Sequence, residues 1–158
     1  MEKLIISIIV IAAVAYFYIK ANSNNEAARE NIKIGAEFLA KNKNVEGVIE
    51  TQSGLQYQVI TQGSGTQHPM AKDKVKVHYH GTLIDGQVFD SSVERGEPIS
   101  FGLNQVIPGW TEGLQLMVIG EKTRFFIPSN LAYKNKSMGK IGGGSLLIFE
   151  VELLGINE

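Results

Sequence analysis

A chain of 158 residues has room for one globular domain with something attached, but not for two full domains. Its 15 Lys+Arg against 16 Asp+Glu leave no basic excess, which argues against a dedicated nucleic-acid binder. Cysteine is absent, which excludes a disulfide scaffold, a cysteine nucleophile and any Cys-based metal site. With 44% apolar residues there is material for a real core.

The N-terminus is the greasiest part. Leu4 to Ile19 is a run of Leu, Ile, Val, Ala, Tyr and Phe broken only by Ser7 and flanked by Lys3 and Lys20. As a signal peptide, Lys3 is the n-region, Leu4–Ala12 the h-region and Ala13-Val14-Ala15 the cleavage site. As an uncleaved anchor, the run makes about 24 Å of helix, short of the usual span unless its flanks contribute. Tyr16, Phe17 and Tyr18 next to Lys20 resemble an interfacial belt with a snorkelling lysine and favour the anchor. Residues 1–21 are therefore expected to form a transmembrane signal anchor, with the folded domain on the exported, periplasmic side. Secretion after cleavage is the alternative.

Residues 22–53 read as a linker, helical from Ser23 to about Asn42. Ser23-Asn24-Asn25-Glu26 matches the S-x-x-E capping box. Ala28, Ile32, Gly35/Ala36 and Leu39 recur at helical spacing, widened by Ile34 and Phe38, with charges on the other side. Such a stripe has two outlets, docking on its own domain or pairing with a second copy as a homodimer.

From residue 54 to 158 the period changes to two. Val75, Val77 and Tyr79 alternate with Lys74, Lys76, His78 and His80, as in a half-buried antiparallel strand. Asp85-Gly86 between Leu83-Ile84 and Val88-Phe89 is a hairpin signal. Lys122–Ile127 and Leu146–Leu154 are further strands. One short helix begins at Pro108, places Trp110, Leu114 and Met117 on one face and is followed by Gly120. The expectation is an α+β domain, an antiparallel sheet covered by one short helix.

No acid–base or nucleophilic signature is present: there is no G-x-S-x-G and no H-E-x-x-H. His78 and His80 share a strand face but continue the polar side begun by Lys74 and Lys76, so no metal is expected. Glu150 and Glu152 read as a solvated strand face, and Gly142-Gly143-Gly144 precedes no helix and makes a poor phosphate site. No cofactor is expected either.

Four motifs in order then carry a resemblance: Val77-His78-Tyr79-His80-Gly81, Gly86-Gln87-Val88-Phe89-Asp90-Ser91-Ser92, Val106-Ile107-Pro108-Gly109-Trp110 and Leu147–Leu154. Together they resemble the FKBP-type peptidyl-prolyl cis-trans isomerases. Gly54-Leu55-Gln56-Tyr57 and the preceding helix are similar to the bacterial macrophage-infectivity-potentiator branch. The resemblance implies an antiparallel sheet of about five or six strands wrapped on the short helix. It implies a proline pocket floored by Trp110 and walled by Tyr79, Phe89, Val106, Ile107, Ile141 and Phe149. It further implies catalytic positions at Tyr79, Asp90 and Tyr133, with Arg95 as partner of Asp90 and the Ile107 N–H as a backbone donor. The partners implied are proline-containing, unfolded or partly folded polypeptides; a non-catalytic chaperone using the same pocket is the alternative. Two departures stand out. Lys134 replaces the family's Gly after the tyrosine, and Gly142-Gly143 replaces Pro-Pro, which predicts a more mobile loop.

Overall fold

The computed structural model describes the backbone from Glu2 to Glu158 and the side chains from Ile9 onward. A single 41-residue helix, α1 (Glu2–Asn42), leads into the domain. The expected start at Ser23 is a correction: Ser23 lies inside α1, not at its cap. Neither Pro nor Gly stands between Lys20 and Glu26, so nothing interrupts the backbone ladder and Ser23 has no orphan N–H groups to satisfy. Among the described residues, no helix is long and apolar enough to cross a membrane. The side chains of Leu4 to Ile8, the first part of the expected span, lie outside the described residues.

The strands are β1 (Val48–Glu50), β2 (Gln56–Thr61), β3 (Lys74–Thr82), β4 (Val88–Ser91), β5 (Ile99–Gly102), β6 (Lys122–Ile127) and β7 (Leu147–Ile156). They form one seven-stranded sheet in the order β1-β2-β6-β7-β3-β4, with β5 also on β3. All the pairings are antiparallel. The strand count exceeds the expected one because β1 comes from the segment read as linker, and three residues are too short to show a period. β3 is the spine: β7 lines one edge along its length, while β4 takes His80–Thr82 and β5 takes Lys74–Val77 on the other. Helix α2 (Ser92–Arg95) bulges out between β4 and β5.

The inner face of the sheet carries Val75, Val77, Tyr79, Phe125, Ile127, Phe149, Val151 and Leu153, all buried. Helix α3 (Pro108–Leu114) lies on it with Pro108 in the first turn and Trp110 and Leu114 buried. It ends at Leu114, earlier than Gly120 suggested, and Met117 reaches the core from the following turn.

The C-terminal half of α1 docks on its own domain. Phe38 meets Phe126 at 5.8 Å between ring centroids, and the buried Asn42 Nδ2 donates to Gln56 Oε1 at 2.9 Å. Gln56 Nε2 in turn donates to the Leu39 carbonyl, also at 2.9 Å, a second bond to an acceptor that the Lys43 N–H already meets in the last turn of α1. Of the two outlets for the stripe, this stretch takes docking.

Candidate active site

The site is built where strand alternation and the α2 bulge converge on α3. Tyr79 projects from β3 to the inner face, and its backbone N–H donates to Ser92 Oγ at 2.8 Å. Ser92 is fully buried and Ser91 caps α2 by accepting from the Glu94 N–H at 3.1 Å. The two serines thus hold α2 against β3 and carry Arg95 to Tyr79. Arg95 Nη1 donates to Asp90 Oδ1 at 2.5 Å and Nη2 donates to Tyr79 Oη at 3.0 Å. The Tyr79 hydroxyl itself donates to Asp90 Oδ2.

A cavity of about 410 Å³ opens beside this chain. That volume lies in the range of small-ligand sites. Trp110 lies at its base with 4% of its surface exposed. Tyr79, Phe101 and Phe149 meet the indole edge-on at 5.3, 5.6 and 5.3 Å, with interplanar angles of 85°, 87° and 81°. Edge-to-face packing of this kind satisfies the ring quadrupoles and fixes each ring. The remaining lining comes from Asp90, Gln105, Val106, Ile107 and Tyr133. Gly81 makes this packing fit: a Cβ there would stand 2.6 Å from Phe89 Cζ and 2.9 Å from Phe149 Cε1.

Charge in the site is locked. Burial works to raise the Asp90 carboxyl, but the hydrogen bonds from Tyr79 and Arg95 outweigh it and hold it below the ordinary aspartate range. Burial, joined by the bond to Asp90, pushes the Tyr79 phenol up, so it stays a donor. The pair therefore does not exchange a proton near neutral pH. Ile107 sits in extended conformation just before Pro108, at φ −58° and ψ 148°. Among the described residues its N–H has no protein acceptor, which leaves a backbone donor at the cavity.

The sequence model described as FKBP-type peptidyl-prolyl cis-trans isomerase matches residues 65–154, and that of the domain amino-terminal to it matches residues 10–59. The chain belongs to the FKBP-type peptidyl-prolyl cis-trans isomerase family. It is 57% identical over 139 residues to the FKBP-type isomerase FkpA of Aeromonas hydrophila, covering 88% of this chain and 51% of that one. It is 46% identical over 135 residues to the outer membrane protein MIP of Legionella longbeachae, covering 85% and 58%. Its fold matches the crystal structure of FkpA from Escherichia coli with a TM-score of 0.81 at 44% identity, over 85% of this chain and 63% of that one. The chain thus spans about half to two thirds of the length of these relatives.

Of the positions the family resemblance implied, Tyr79, Asp90, Val106, Ile107, Trp110, Tyr133 and Phe149 line the cavity. Three do not. Phe89 stands behind the wall, edge-on to Phe149 at 5.3 Å. Arg95 acts through Asp90 and Tyr79, and Ile141 is buried in a small bridge with Met138. Phe101 and Gln105 line the cavity without having been singled out. The outward-facing His78 and His80 turn their Nδ1 atoms to Ser92 and Ser91 at 3.0 and 2.9 Å. Among the described residues no group of three or more His, Cys, Asp or Glu side chains could hold a metal ion.

Proposed function

We propose that the protein accelerates rotation about Xaa-Pro peptide bonds in unfolded or partly folded polypeptides. One observation carries this: an open, aromatic-walled cavity over Trp110 whose polar edge is a charge-locked Tyr79–Asp90–Arg95 chain. Rotation about a peptide bond breaks no covalent bond and moves no proton. Its barrier, about 18–20 kcal/mol, is the loss of amide resonance. An Xaa-Pro bond left alone takes tens to hundreds of seconds.

A catalyst need only bind the twisted amide better than the planar isomers, and a thousandfold gain takes about 4 kcal/mol of such preference. The planar amide is the more charge-separated form, so a cavity walled by Phe101, Phe149 and Trp110 disfavours it relative to the twisted one. The rings hold the pyrrolidine while the acyl side turns. In this reading the Ile107 N–H and the Tyr133 hydroxyl orient the substrate backbone, supported by both residues lining the cavity, and the Tyr79–Asp90 pair supplies a fixed dipole along one wall. None of these roles needs a group that titrates near neutrality, in accord with the shifted values of Tyr79 and Asp90.

The protein works on the exported side of a membrane, held there by the apolar start of α1. Support comes from Ile9, Val10, Ile11, Val14 and Tyr16–Ile19, which expose 55–73% of their surface, a large apolar area with no cover from the domain. Intact mass of the membrane fraction tests this part: retention of Met1 supports the anchor, and a soluble chain cleaved near Ala15 overturns it.

The isomerase reading is tested by proline-limited refolding of a substrate protein with the full chain. Acceleration that is lost in Trp110→Ala and reduced in Tyr79→Phe supports it. A rate equal to the spontaneous one overturns it.

A further inference from the structure

The segment from Lys134 to Lys140 joins the cavity residue Tyr133 to Ile141 and reads Lys-Asn-Lys-Ser-Met-Gly-Lys, three cations without a carboxylate. All seven residues are exposed. The ion pairs among the described residues are Arg95–Asp90 and Arg124–Glu150, so these three lysines are unpaired.

The segment is also held in place next to the cavity. The Lys134 N–H donates to the Ser129 carbonyl at 2.8 Å, the Gly144 N–H donates to the Lys134 carbonyl at 2.7 Å, and Met138 and Ile141 exchange backbone bonds at 2.9 Å. The α1 atoms that reach the glycines at its far end come from Ala28, Asn31 and Ile32, none of them charged. Asp90, the carboxylate in the cavity, is already committed to Arg95 and Tyr79. Nothing in these contacts neutralises the loop.

We propose that this basic loop selects substrates, favouring proline-containing segments that carry Asp or Glu in the residues flanking the proline. The inference rests on the isomerase reading and adds the substrate class. A proline seated over Trp110 brings its neighbouring residues past Tyr133, where the basic loop begins at the next residue, and such exposed charges act over a Debye length of about 8 Å at physiological salt. Cations fixed at that rim attract flanking carboxylates, concentrate acidic chains at the mouth and repel basic ones.

The test uses three peptides with a common Ala-Leu-Pro-Phe centre, flanked on both sides by Glu, Gln or Lys. Two readouts are taken on the full chain: isomerisation kcat/KM, and affinity from the fluorescence of Trp110, the only tryptophan. The Glu peptide is expected to bind about fivefold more tightly than the Gln peptide at ~20 mM salt, with the ratio shrinking towards one at ~500 mM, and the Lys peptide to bind most weakly. K136E/K140E, which leaves Lys134 and its hydrogen bonds in place, should reverse the order. An affinity ratio of one at low salt, or a preference untouched by salt, overturns the proposal, and the salt series does so even if the variant misfolds. Absent turnover of the Gln peptide overturns the isomerase reading alone, because the affinity ratio still reports the loop.

Discussion

The side-chain amide of Asn31, in the C-terminal half of α1, donates to the carbonyl of Gly143 at 2.8 Å. One turn away, the Ala28 carbonyl lies against Gly144, at the place a Cβ would take. Gly143 and Gly144 thus provide a seat for the helix, and the helix fixes the end of the loop that begins at Tyr133. Gly144 also holds φ +76°, which side chains rarely adopt.

Gly144→Ala should therefore lose about 2–3 kcal/mol, from a left-handed backbone and a contact that backbone cannot give way to. Asn31→Ala removes one hydrogen bond and should cost about 1 kcal/mol. Urea denaturation of both variants checks the ordering. Equal stabilities of Gly144→Ala and the parent would mean the helix does not bear on the loop.

The Asp90 carboxyl is held below its ordinary range, so the sign of its pH dependence follows. Stability from this group is fully present above the unfolded value of about 3.9 and is lost as pH falls through the lower folded value. Activity on a neutral peptide should stay flat from pH 7 down to about 4 and fall only below that. Arg95→Gln removes the bonds to Asp90 and Tyr79 and should move the acid fall upward, with Tyr79→Phe losing about tenfold in kcat/KM at pH 7. A pH profile of kcat/KM with parallel circular dichroism reads both effects. A profile unchanged in Arg95→Gln would show that the ion pair leaves the site indifferent.

Strand faces and turns were legible from local patterns in the sequence, the site positions came from the family resemblance, and both failed where placement is non-local. Val75, Val77 and Tyr79 reveal the inner face of β3 because alternation is local, and Asp85-Gly86 reveals the hairpin, where Gly86 takes φ +87°. Alternation does not place Phe89, because the β3–β4 pairing carries a bulge there: Gly81 pairs with Asp90 and Thr82 with Val88, so Phe89 packs behind Phe149 and only Asp90 lines the cavity. Phe101 was not legible, because it reaches the cavity only through the pairing of β5 with β3, Val75 opposite Phe101. Gln105 follows from the turn after β5 for the same reason. Ser23 misled because the letters of a capping box say nothing about whether the helix has already begun.

Lys134 follows the cavity residue Tyr133 at φ +56°, where the family carries glycine. A side chain in this conformation costs about 1–2 kcal/mol, and glycine's greater freedom in the unfolded chain gives back about 0.5–1. Lys134→Gly should therefore stabilise by about 0.5 kcal/mol and raise the Tm by about 2 °C. Calorimetry distinguishes this from the unchanged or lowered Tm expected if the lysine side chain makes up for its backbone.

Helix α3 lies on β6 through two glycines one turn apart. A Cβ on Gly109 would stand 2.5 Å from Ile127 Cγ2, and one on Gly113 would stand 2.6 Å from Phe125 Cε1. Helix propensity alone makes Gly113→Ala stabilising by about 1 kcal/mol. Packing opposes this, because Phe125 is fully buried and its ring has nowhere to retreat except toward the other core rings. Overpacking at such a site costs about 1–3 kcal/mol, so Gly113→Ala should be net destabilising and should lift α3, and with it Trp110, away from the sheet. Urea denaturation reads the first effect and a red shift of Trp110 emission the second. A variant more stable than the parent, with unshifted emission, would show that propensity wins and that the floor of the cavity does not depend on this close approach.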